Sequence, residues 1–369
     1  MNRVKRTILG TILWIALLLS ACTGNPAANN SVSPSASPPS NSNKPQTGSI
    51  ANSELGDFTE ITTEPGEVMA EGTTFVRCNL LYNGTDLKGT FERVDYTTDV
   101  YEDGVTYEKY CNVYLPYGYN ANDKDTKYNV VYFQHGNGGD PEALLNDPTI
   151  NYLDALFATG EVEPVIIVMA TYYMDVTENV AERKKTGQMP ASDGNWEGIP
   201  GNYYMEIIQD VMPLVESRYN TYTESFDTEG LIAARDQRCF SGYSRGSVCT
   251  WYMFHNAFEY FKWYAPMSAN CTAGKTAGSE ISNEEVFQYL SEARDEFHDL
   301  DFYIYAASGR DTDAPAMRTQ MAYLETRTEL FSYGDNTSEN NLYYTLSTFP
   351  HADVYVPFYY YNSLQVIFH

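Results

Sequence analysis

The sequence places one serine between two glycines in a pattern that suits a nucleophile. The motif Gly242–Gly246 (GYSRG) follows the strand-like residues 238–241 and precedes the helix-like residues 247–258. In this G-x-S-x-G arrangement the serine occupies a sharp turn between strand and helix, where side chains two positions to either side would collide with neighbouring backbone. We therefore predict that the turn exposes the hydroxyl of Ser244 for attack on an acyl carbon.

A serine nucleophile needs a base, and only five histidines occur in the sequence. Three of them lie at the C-terminus or in predicted helices: His255, His298 and His369. His135 precedes the serine, whereas in hydrolases with this turn the acid and then the histidine follow it along the chain. His351, in a loop after the strand-like residues 341–348, is therefore the predicted base, which takes the Ser244 proton and returns it to the leaving alcohol.

The third member of such a triad is a carboxylate that orients the imidazole. Asp311 and Asp313 follow the apolar run Phe302–Ala306, at the end of the strand that precedes the histidine strand. Asp311 emerges first and is our first choice, with Asp313 as its competitor. Either carboxylate could instead cap a helix that begins near Ala316.

Glycine-rich backbone follows another predicted strand. The segment Gln134–Gly139 (QHGNGG) comes directly after the apolar run Val130–Phe133. Hydrolases with this nucleophile turn use a backbone N–H at that place, together with the N–H of the residue after the serine, here Arg245, to stabilise the oxyanion. A phosphate-binding loop is discarded because no Lys-Ser/Thr pair follows these glycines.

Short apolar runs alternate with stretches of helical period around these motifs. The predicted buried strands are Val113–Leu115, Val130–Phe133, Val165–Ala170, Arg238–Ser241 and Phe302–Ala306. Residues 202–219 have helical spacing, with a predicted apolar face at Met205, Ile208, Met212 and Val215. Glu206 and Asp210 are predicted to point away from that face. The alternation predicts an α/β protein whose mostly parallel central sheet is covered by helices on both faces.

The N-terminus is typical of an exported protein. Arg3, Lys5 and Arg6 precede an apolar run over 8–19, which is shorter than the roughly 20 residues of a spanning helix. The tetrapeptide LSAC that ends at Cys22 resembles the lipobox of bacterial lipoproteins, in which the cysteine is acylated and becomes the new N-terminus. Residues 1–22 are therefore predicted to be a lipoprotein signal peptide with Cys22 as its lipidation site; an ordinary signal peptide is the alternative.

Composition divides the rest of the chain into three parts. Residues 23–49 are rich in Ser, Pro and Asn and are predicted to form a disordered tether. Residues 50–88 are a lead-in extension, either β-rich or partly ordered, and residues 89–369 are one catalytic domain. The expected location is outside the cytoplasm, either lipid-anchored to the bacterial cell membrane or secreted, with the lipid anchor as the only membrane contact.

Acidic residues dominate the charge of the chain. There are 49 Asp and Glu against 23 Lys and Arg, a formal net charge of −26, so nucleic acid is not expected as a partner. Apart from Cys22 there are five cysteines without a CxxC pair: Cys78, Cys111, Cys239, Cys249 and Cys271. A zinc site is therefore not expected. Disulfide pairing stays open, although Cys239 and Cys249 lie in strand and helix contexts where small buried thiols are common.

From about Phe91 to the C-terminus the sequence resembles carbohydrate esterase family 1, the feruloyl and acetylxylan esterases related to esterase D. The resemblance rests on segments in the same order: NVYLPYGYN, the strand with HGNGG, DVMPLVESRYNTY, AARDQRCFSGYSRGSVCTW, YAPMS and PHADVYVPFYYYNSL. It implies the α/β-hydrolase fold and the absence of a metal or organic cofactor. The site residues that it implies are Ser244, Asp311 and His351 as the triad, and Asn137 or Gly138 with Arg245 as the oxyanion hole.

Some positions near the motifs leave the substrate open. Family members commonly carry Met where Arg245 stands, and this guanidinium could alter substrate choice or, if buried, pair with a carboxylate such as Asp236. Three aromatic residues are expected either to stack on a hydroxycinnamoyl ring or sugar, or to pack in the core or rim: Tyr172, Tyr173 and Trp196.

The resemblance implies a serine carboxylic-ester hydrolase that acts on ester substituents of plant cell-wall xylan. A substituted plant polysaccharide or oligosaccharide is then the expected partner. Feruloyl esters are the first choice of substrate, followed by acetylated xylan and by generic aryl or alkyl esters. A catalytically inactive glycan-binding lipoprotein is the alternative from another class, and the complete triad argues against it.

Overall fold

A mixed eight-stranded sheet and a small two-stranded sheet organise the chain. The computed structural model describes residues 59–62, 74–77, 84–173, 198–275, 280–309, 314–347 and 349–369. The strands in chain order are β1 (Thr59–Thr62), β2 (Thr74–Arg77), β3 (Thr90–Thr98), β4 (Tyr107–Leu115), β5 (Val130–Gln134), β6 (Ile166–Ala170), β7 (Arg238–Tyr243), β8 (Trp263–Met267), β9 (Tyr303–Ser308) and β10 (Leu342–Leu346). All five predicted strands are present.

The strand order across the large sheet is β10-β9-β8-β7-β5-β6-β4-β3. The six neighbouring strands from β10 to β6 are parallel, whereas β4 pairs antiparallel with both β6 and β3. Parallel strands end at the same edge of a sheet, and ligands bind outside these carboxyl ends. The loops after β5, β7 and β10, which carry the QHGNGG segment, Ser244 and His351, therefore meet at one edge.

Helices cover both faces of the sheet. They are α1 (Asp147–Thr159), α2 (Tyr203–Glu206), α3 (Met212–Arg218), α4 (Thr228–Ala233), α5 (Arg245–Asn256), α6 (Asn283–Glu296), α7 (Ala314–Glu325) and α8 (Val356–Ser363). α1 and α8 pack on one face, and the other six pack on the opposite face. The predicted α/β-hydrolase architecture, a mostly parallel sheet with helices on both faces, is confirmed.

Strand β5 shows why the strands are continuous apolar runs. Val130 and Tyr132 belong to the core on the α5 side, whereas Val131 and Phe133 belong to the core on the α1 side. Side chains along a strand alternate between the two faces, and here each face is covered by helices. Apolar residues are therefore required at every position.

The observed apolar face of the helix predicted over 202–219 differs from the predicted one. The helix predicted over 202–219 contains a π-helical turn, Ile207–Val211, between α2 and α3. The prediction that Glu206 points away from the apolar face is wrong, because its side chain is fully buried 2.7 Å from the Lys109 ammonium. The wider π-turn changes which positions face the sheet, and the buried ion pair makes an inward carboxylate tolerable.

Two strands of the lead-in lie beside the large sheet. β1 and β2 pair antiparallel, with Thr59 opposite Arg77, and β2 packs against β10 and α8. The predicted signal peptide 1–22, including Cys22, and the predicted tether 23–49 lie outside the described residues. Within the described part of the chain, no helix combines the length and apolar character needed to cross a bilayer.

Candidate active site

Ser244 stands at the turn between β7 and α5. Its backbone has φ 57° and ψ −118°, a positive φ that is strained for a residue with a Cβ. Two backbone hydrogen bonds hold the turn: the Ser244 N–H donates to the Met267 carbonyl at 2.8 Å, and the Ser247 N–H donates to the Ser244 carbonyl at 2.8 Å. These bonds offset the strain and keep the hydroxyl at the carboxyl edge of the sheet.

The glycines of the motif are required by close backbone packing. A Cβ on Gly242 would overlap the Gly246 carbonyl oxygen, and a Cβ on Gly246 would overlap the carbonyl oxygen of Gln134 at the end of β5. The steric reason inferred from the G-x-S-x-G spacing is therefore confirmed, since both approaches involve backbone atoms that cannot move aside.

The structure brings Ser244 and His351 together. The His351 Nε2 lies 2.9 Å from the Ser244 Oγ, although 107 residues separate the two positions in the chain. The imidazole is exposed on one side, and its ring centroid lies 5.0 Å from the Tyr243 ring. This distance suits proton transfer from the hydroxyl to a neutral imidazole.

Two other histidines have local structural contacts, and a third lies at the surface. The buried His135 places its Nε2 2.7 Å from the Thr171 Oγ1, and His255 stacks on Tyr289 with ring centroids 3.8 Å apart. The ring of His298 is 74% exposed. Their positions agree with the elimination made from the sequence.

The two candidate acids, Asp311 and Asp313, lie outside the described residues, so the carboxylate of the triad stays a prediction. The residue at which that segment begins is nevertheless informative. Gly309, directly after β9, approaches the Phe349 carbonyl so closely that a Cβ would overlap it. The segment after β9 therefore starts against the loop that carries His351.

A tight glycine turn lies beside the serine. The Gly139 N–H donates to the Gly136 carbonyl at 3.1 Å, and a Cβ on Gly136 would lie 3.3 Å from the Ser244 Cβ. Gly138 has φ 69°, which glycine adopts without strain. This places backbone N–H groups next to the nucleophile.

The turn distinguishes the two residues predicted for the oxyanion hole. The Gly138 N–H already donates to the Tyr173 hydroxyl at 2.8 Å, whereas the Asn137 N–H has no acceptor among the described residues. Arg245 is the first residue of α5, and N–H groups at a helix start are directed out of its N-terminal end. The arrangement therefore favours the N–H groups of Asn137 and Arg245 as the two donors.

A buried polar network lies next to the glycine turn and supports it. The Thr171 carbonyl accepts a 2.8 Å hydrogen bond from the Lys109 ammonium, and the Thr171 hydroxyl contacts His135, which comes just before the turn. Lys109 is paired with Glu206, which also accepts a 2.5 Å hydrogen bond from the Tyr96 hydroxyl. Burial, reinforced by Glu206, raises the pKa of Tyr96 well above its ordinary value. The sequence analysis missed this network because no local spacing connects its members.

A cavity of about 460 Å³ opens between the glycine turn and the His351 loop. The polar residues that line it include His135, Asn137, Ser244, His351 and Asp353, and the apolar ones include Phe133, Ala143, Leu144, Tyr243 and Val356. This volume falls within the range of small-molecule sites. An ester could place its carbonyl carbon at Ser244 and an apolar acyl group against the apolar lining residues.

The predicted aromatic contacts have different positions. Tyr172 is fully buried and donates to the Gly136 carbonyl at 3.0 Å, so it supports the turn and cannot stack on a bound ligand. Tyr173 is 7% exposed and bonds to the backbone of the turn, which makes it a neighbour of the oxyanion donors. Burial raises the pKa of Tyr172 well above its ordinary value. Trp196 lies outside the described residues.

Arg245 does not pair with the carboxylate suggested from the sequence. Arg245 is half-buried, but the suggested partner Asp236 precedes β7, at the opposite end of the strand, where it lies 3.3 Å from Arg235. That suggestion is wrong because the strand separates the two positions.

The four cysteines that the structure describes are buried and form no disulfide: Cys111, Cys239, Cys249 and Cys271. Within the described ranges, no group of three or more His, Cys, Asp or Glu could hold a metal ion.

Comparisons with known proteins agree with this geometry. The Esterase family profile matches residues 107–351. Endo-1,4-beta-xylanase Y of Acetivibrio thermocellus is 32% identical over 272 residues, which are 72% of this chain and 22% of the xylanase. The chain therefore spans less than a quarter of that relative.

Two solved structures have similar folds. A serine-to-alanine mutant of the feruloyl esterase module from Clostridium thermocellum, complexed with sinapinate, is 26% identical with a TM-score of 0.64, covering 85% of this chain and 96% of that one. A ferulic acid esterase from Anaeromyces mucronatus in complex with ferulic acid is 18% identical with a TM-score of 0.52, covering 83% and 96%. The second likeness concerns the fold alone.

Proposed function

The chain belongs to the Esterase family and is a serine esterase, and we propose that it releases hydroxycinnamic acids from esters of plant xylan, with feruloyl esters as its preferred substrates. The observation that carries the proposal is the 2.9 Å approach of His351 Nε2 to Ser244 Oγ at the wall of a 460 Å³ cavity. Support for the acyl group comes from the similarity to a feruloyl esterase module. Support for xylan comes from the similarity to a xylanase.

We propose an acyl-serine mechanism. The Ser244 oxygen attacks the ester carbonyl while His351 takes its proton, and the resulting oxyanion accepts hydrogen bonds from the Asn137 and Arg245 N–H groups. Collapse of the tetrahedral intermediate breaks the bond to the alkoxy oxygen, which leaves as the alcohol with the proton from His351. Water, deprotonated by His351, then attacks the acyl-serine and releases the acid and free Ser244.

The walls of the cavity favour an aromatic acyl group over acetyl. Phe133, Leu144 and Val356 contribute apolar side chains to the lining of the cavity. A hydroxycinnamoyl ring would bury apolar area against them, and each buried Å² contributes about 25 cal/mol. An acetyl group would leave most of that surface in contact with water.

The experiment compares esters that share one leaving group. The kcat/KM of the full chain is measured for p-nitrophenyl ferulate and p-nitrophenyl acetate, with Ser244→Ala, His351→Ala and, as a matched control, the surface variant His298→Ala. We expect the ferulate ester to be preferred at least tenfold, both triad variants to lose more than about 10³-fold, and the control to be unchanged.

Each outcome has a definite meaning. Preference for acetate would replace the feruloyl proposal with an acetyl or generic esterase. Turnover that persists in Ser244→Ala would contradict the acyl-serine mechanism. A folded wild-type protein that turns over neither ester but binds xylan oligosaccharides would instead be a glycan-binding protein.

We also propose that the protein is exported and held at the membrane through acylated Cys22. The support is the sequence around LSAC and the Ser/Pro/Asn-rich segment 23–49, which suits a spacer between an anchor and a catalytic domain. In an expressing bacterium, the wild type should partition into a detergent phase and Cys22→Ser into the aqueous phase. Equal partitioning of the two proteins would contradict the anchor.

A further inference from the structure

The lead-in strand β2 contacts the loop that presents the catalytic histidine. Phe75, in the middle of β2, is 1% exposed. Its ring centroid lies 5.6 Å from Phe349 and 5.6 Å from Tyr359, both in edge-to-face arrangements. We propose that Phe75 is a positioning residue for His351, an inference that rests on the proposed function and assigns a role in it to the lead-in extension.

Phe349 anchors the loop that carries His351. Its ring stacks on Tyr355 with centroids 4.4 Å apart and an interplanar angle of 7°. Its N–H donates to the Ser347 hydroxyl at 3.3 Å, and its carbonyl lies against Gly309. The ring, the N–H and the carbonyl are therefore all held, and Phe75 packs against the ring in an edge-to-face arrangement.

Pro350 transmits the position of Phe349 to His351. It is the one residue between them, and its ring fixes φ near −65°. A proline also restricts the backbone of the preceding residue to extended conformations. Fewer backbone torsions can therefore absorb a displacement of Phe349 before it reaches His351.

Tyr359 connects Phe75 to Tyr243, the residue before Ser244. Its hydroxyl lies 3.3 Å from the Ser347 hydroxyl, and its ring lies 6.5 Å from the Tyr243 ring in a near-parallel orientation. Tyr243 in turn contacts the His351 ring and precedes Ser244. Phe75 thus touches Phe349, two residues before His351, and Tyr359, whose ring lies beside that of the residue before Ser244.

This placement matters because His351 is exposed to solvent and lies in a loop. A misplacement of about 1 Å at a reacting group can cost about 10²-fold in rate. Removal of the Phe75 ring leaves a cavity beside Phe349, and neighbouring side chains fill such cavities only partly. The rate of the chemical step should therefore be more sensitive than substrate binding.

The test compares Phe75→Ala with Phe75→Leu and with a control deletion of equal size, Phe157→Ala. Phe157 is a buried residue of α1 on the same face, packed 6.0 Å from Tyr114, and is not part of the site. With p-nitrophenyl acetate we expect Phe75→Ala to lose at least tenfold in kcat with KM changed less than threefold. Phe75→Leu should recover most of the loss, and Phe157→Ala should stay within twofold of wild type.

A second measurement does not depend on turnover. Hydrogen exchange of the segment 347–356 should accelerate in Phe75→Ala and stay unchanged in Phe157→Ala. Equal kcat in wild type and Phe75→Ala, or equal losses in both alanine variants, would overturn the positioning role. An inactive wild type would end the proposed function alone, and the exchange comparison would still decide whether Phe75 holds the loop.

Discussion

The hydroxyl of Tyr173 accepts a 2.8 Å hydrogen bond from the Gly138 N–H. The same hydroxyl lies 3.3 Å from the Asn137 Oδ1, to which it donates. One phenol therefore holds both residues at the tip of the glycine turn. This arrangement occupies the N–H of Gly138 and fixes the orientation of the adjacent peptide, which presents the Asn137 N–H.

Replacement of Tyr173 by Phe should impair catalysis more than binding. The change leaves the Gly138 N–H and the Asn137 side chain without their partner, so the peptide that carries the oxyanion donor loses its restraint. We expect kcat to fall roughly tenfold, which is below the 10²–10³-fold cost of deleting a donor outright. Steady-state kinetics with p-nitrophenyl esters measure the effect, and Tyr222→Phe, at an exposed tyrosine, serves as control. An unchanged kcat would show that the turn is rigid without this bond.

The Lys109–Glu206 pair should contribute strongly to stability. Both side chains are fully buried, 2.7 Å apart, so Lys109→Met leaves the Glu206 carboxylate in the core without its counter-charge, with only hydroxyl donors such as Tyr96. Such a change costs about 3–5 kcal/mol in the free energy of unfolding. The double variant Lys109→Met with Glu206→Leu should recover part of that loss because no charge remains. Urea unfolding of the single and double variants tests this, and a loss below about 1 kcal/mol in Lys109→Met would contradict it.

Amide substitutions should identify the acid of the triad. Asp311→Asn is expected to lower kcat by about 10⁴-fold with KM little changed, because the amide no longer holds the imidazole in the required tautomer. Asp313→Asn should retain nearly full kcat. The reverse pattern would assign the role to Asp313, and full activity in both variants would mean that neither carboxylate orients His351.

The buried thiols should be inert in the folded protein. Burial raises the pKa of Cys111 and of Cys271 to about 12, so almost no thiolate, the reactive form, exists at pH 8. An unfolded thiol ionises near 8.5, so the unfolded state releases its protons first and the free energy of unfolding should fall as pH rises above about 9. Labelling by a thiol reagent should follow the rate of unfolding. Peptide mapping identifies which cysteine is labelled, so that label on Cys78 is counted separately from label on the four buried thiols. Fast labelling of Cys111 in native protein would contradict the expectation.

Local sequence patterns predicted the parts of the fold that depend on local physics. The strands before the motifs were found because burial on both faces requires continuous apolar runs, as in β5. Strand β3 was not predicted because it contains no continuous apolar run: its second half alternates buried and exposed positions and carries polar residues. The Glu206 orientation was wrong because a π-turn and a partner 97 residues away in the chain determine it.

The sequence by itself predicted the nucleophile turn, because the close contact of Gly242 with the Gly246 carbonyl lies within the five residues of GYSRG, although the contact of Gly246 with Gln134 depends on the neighbouring strand. It also determined the order of serine and histidine along the chain. Only the tertiary structure decided that His351 lies 2.9 Å from Ser244, that Tyr173 occupies the Gly138 N–H, and that Phe75 packs on Phe349. These contacts join residues that are tens to hundreds of positions apart, and they follow from how strands and helices pack, which residue type and local spacing do not specify.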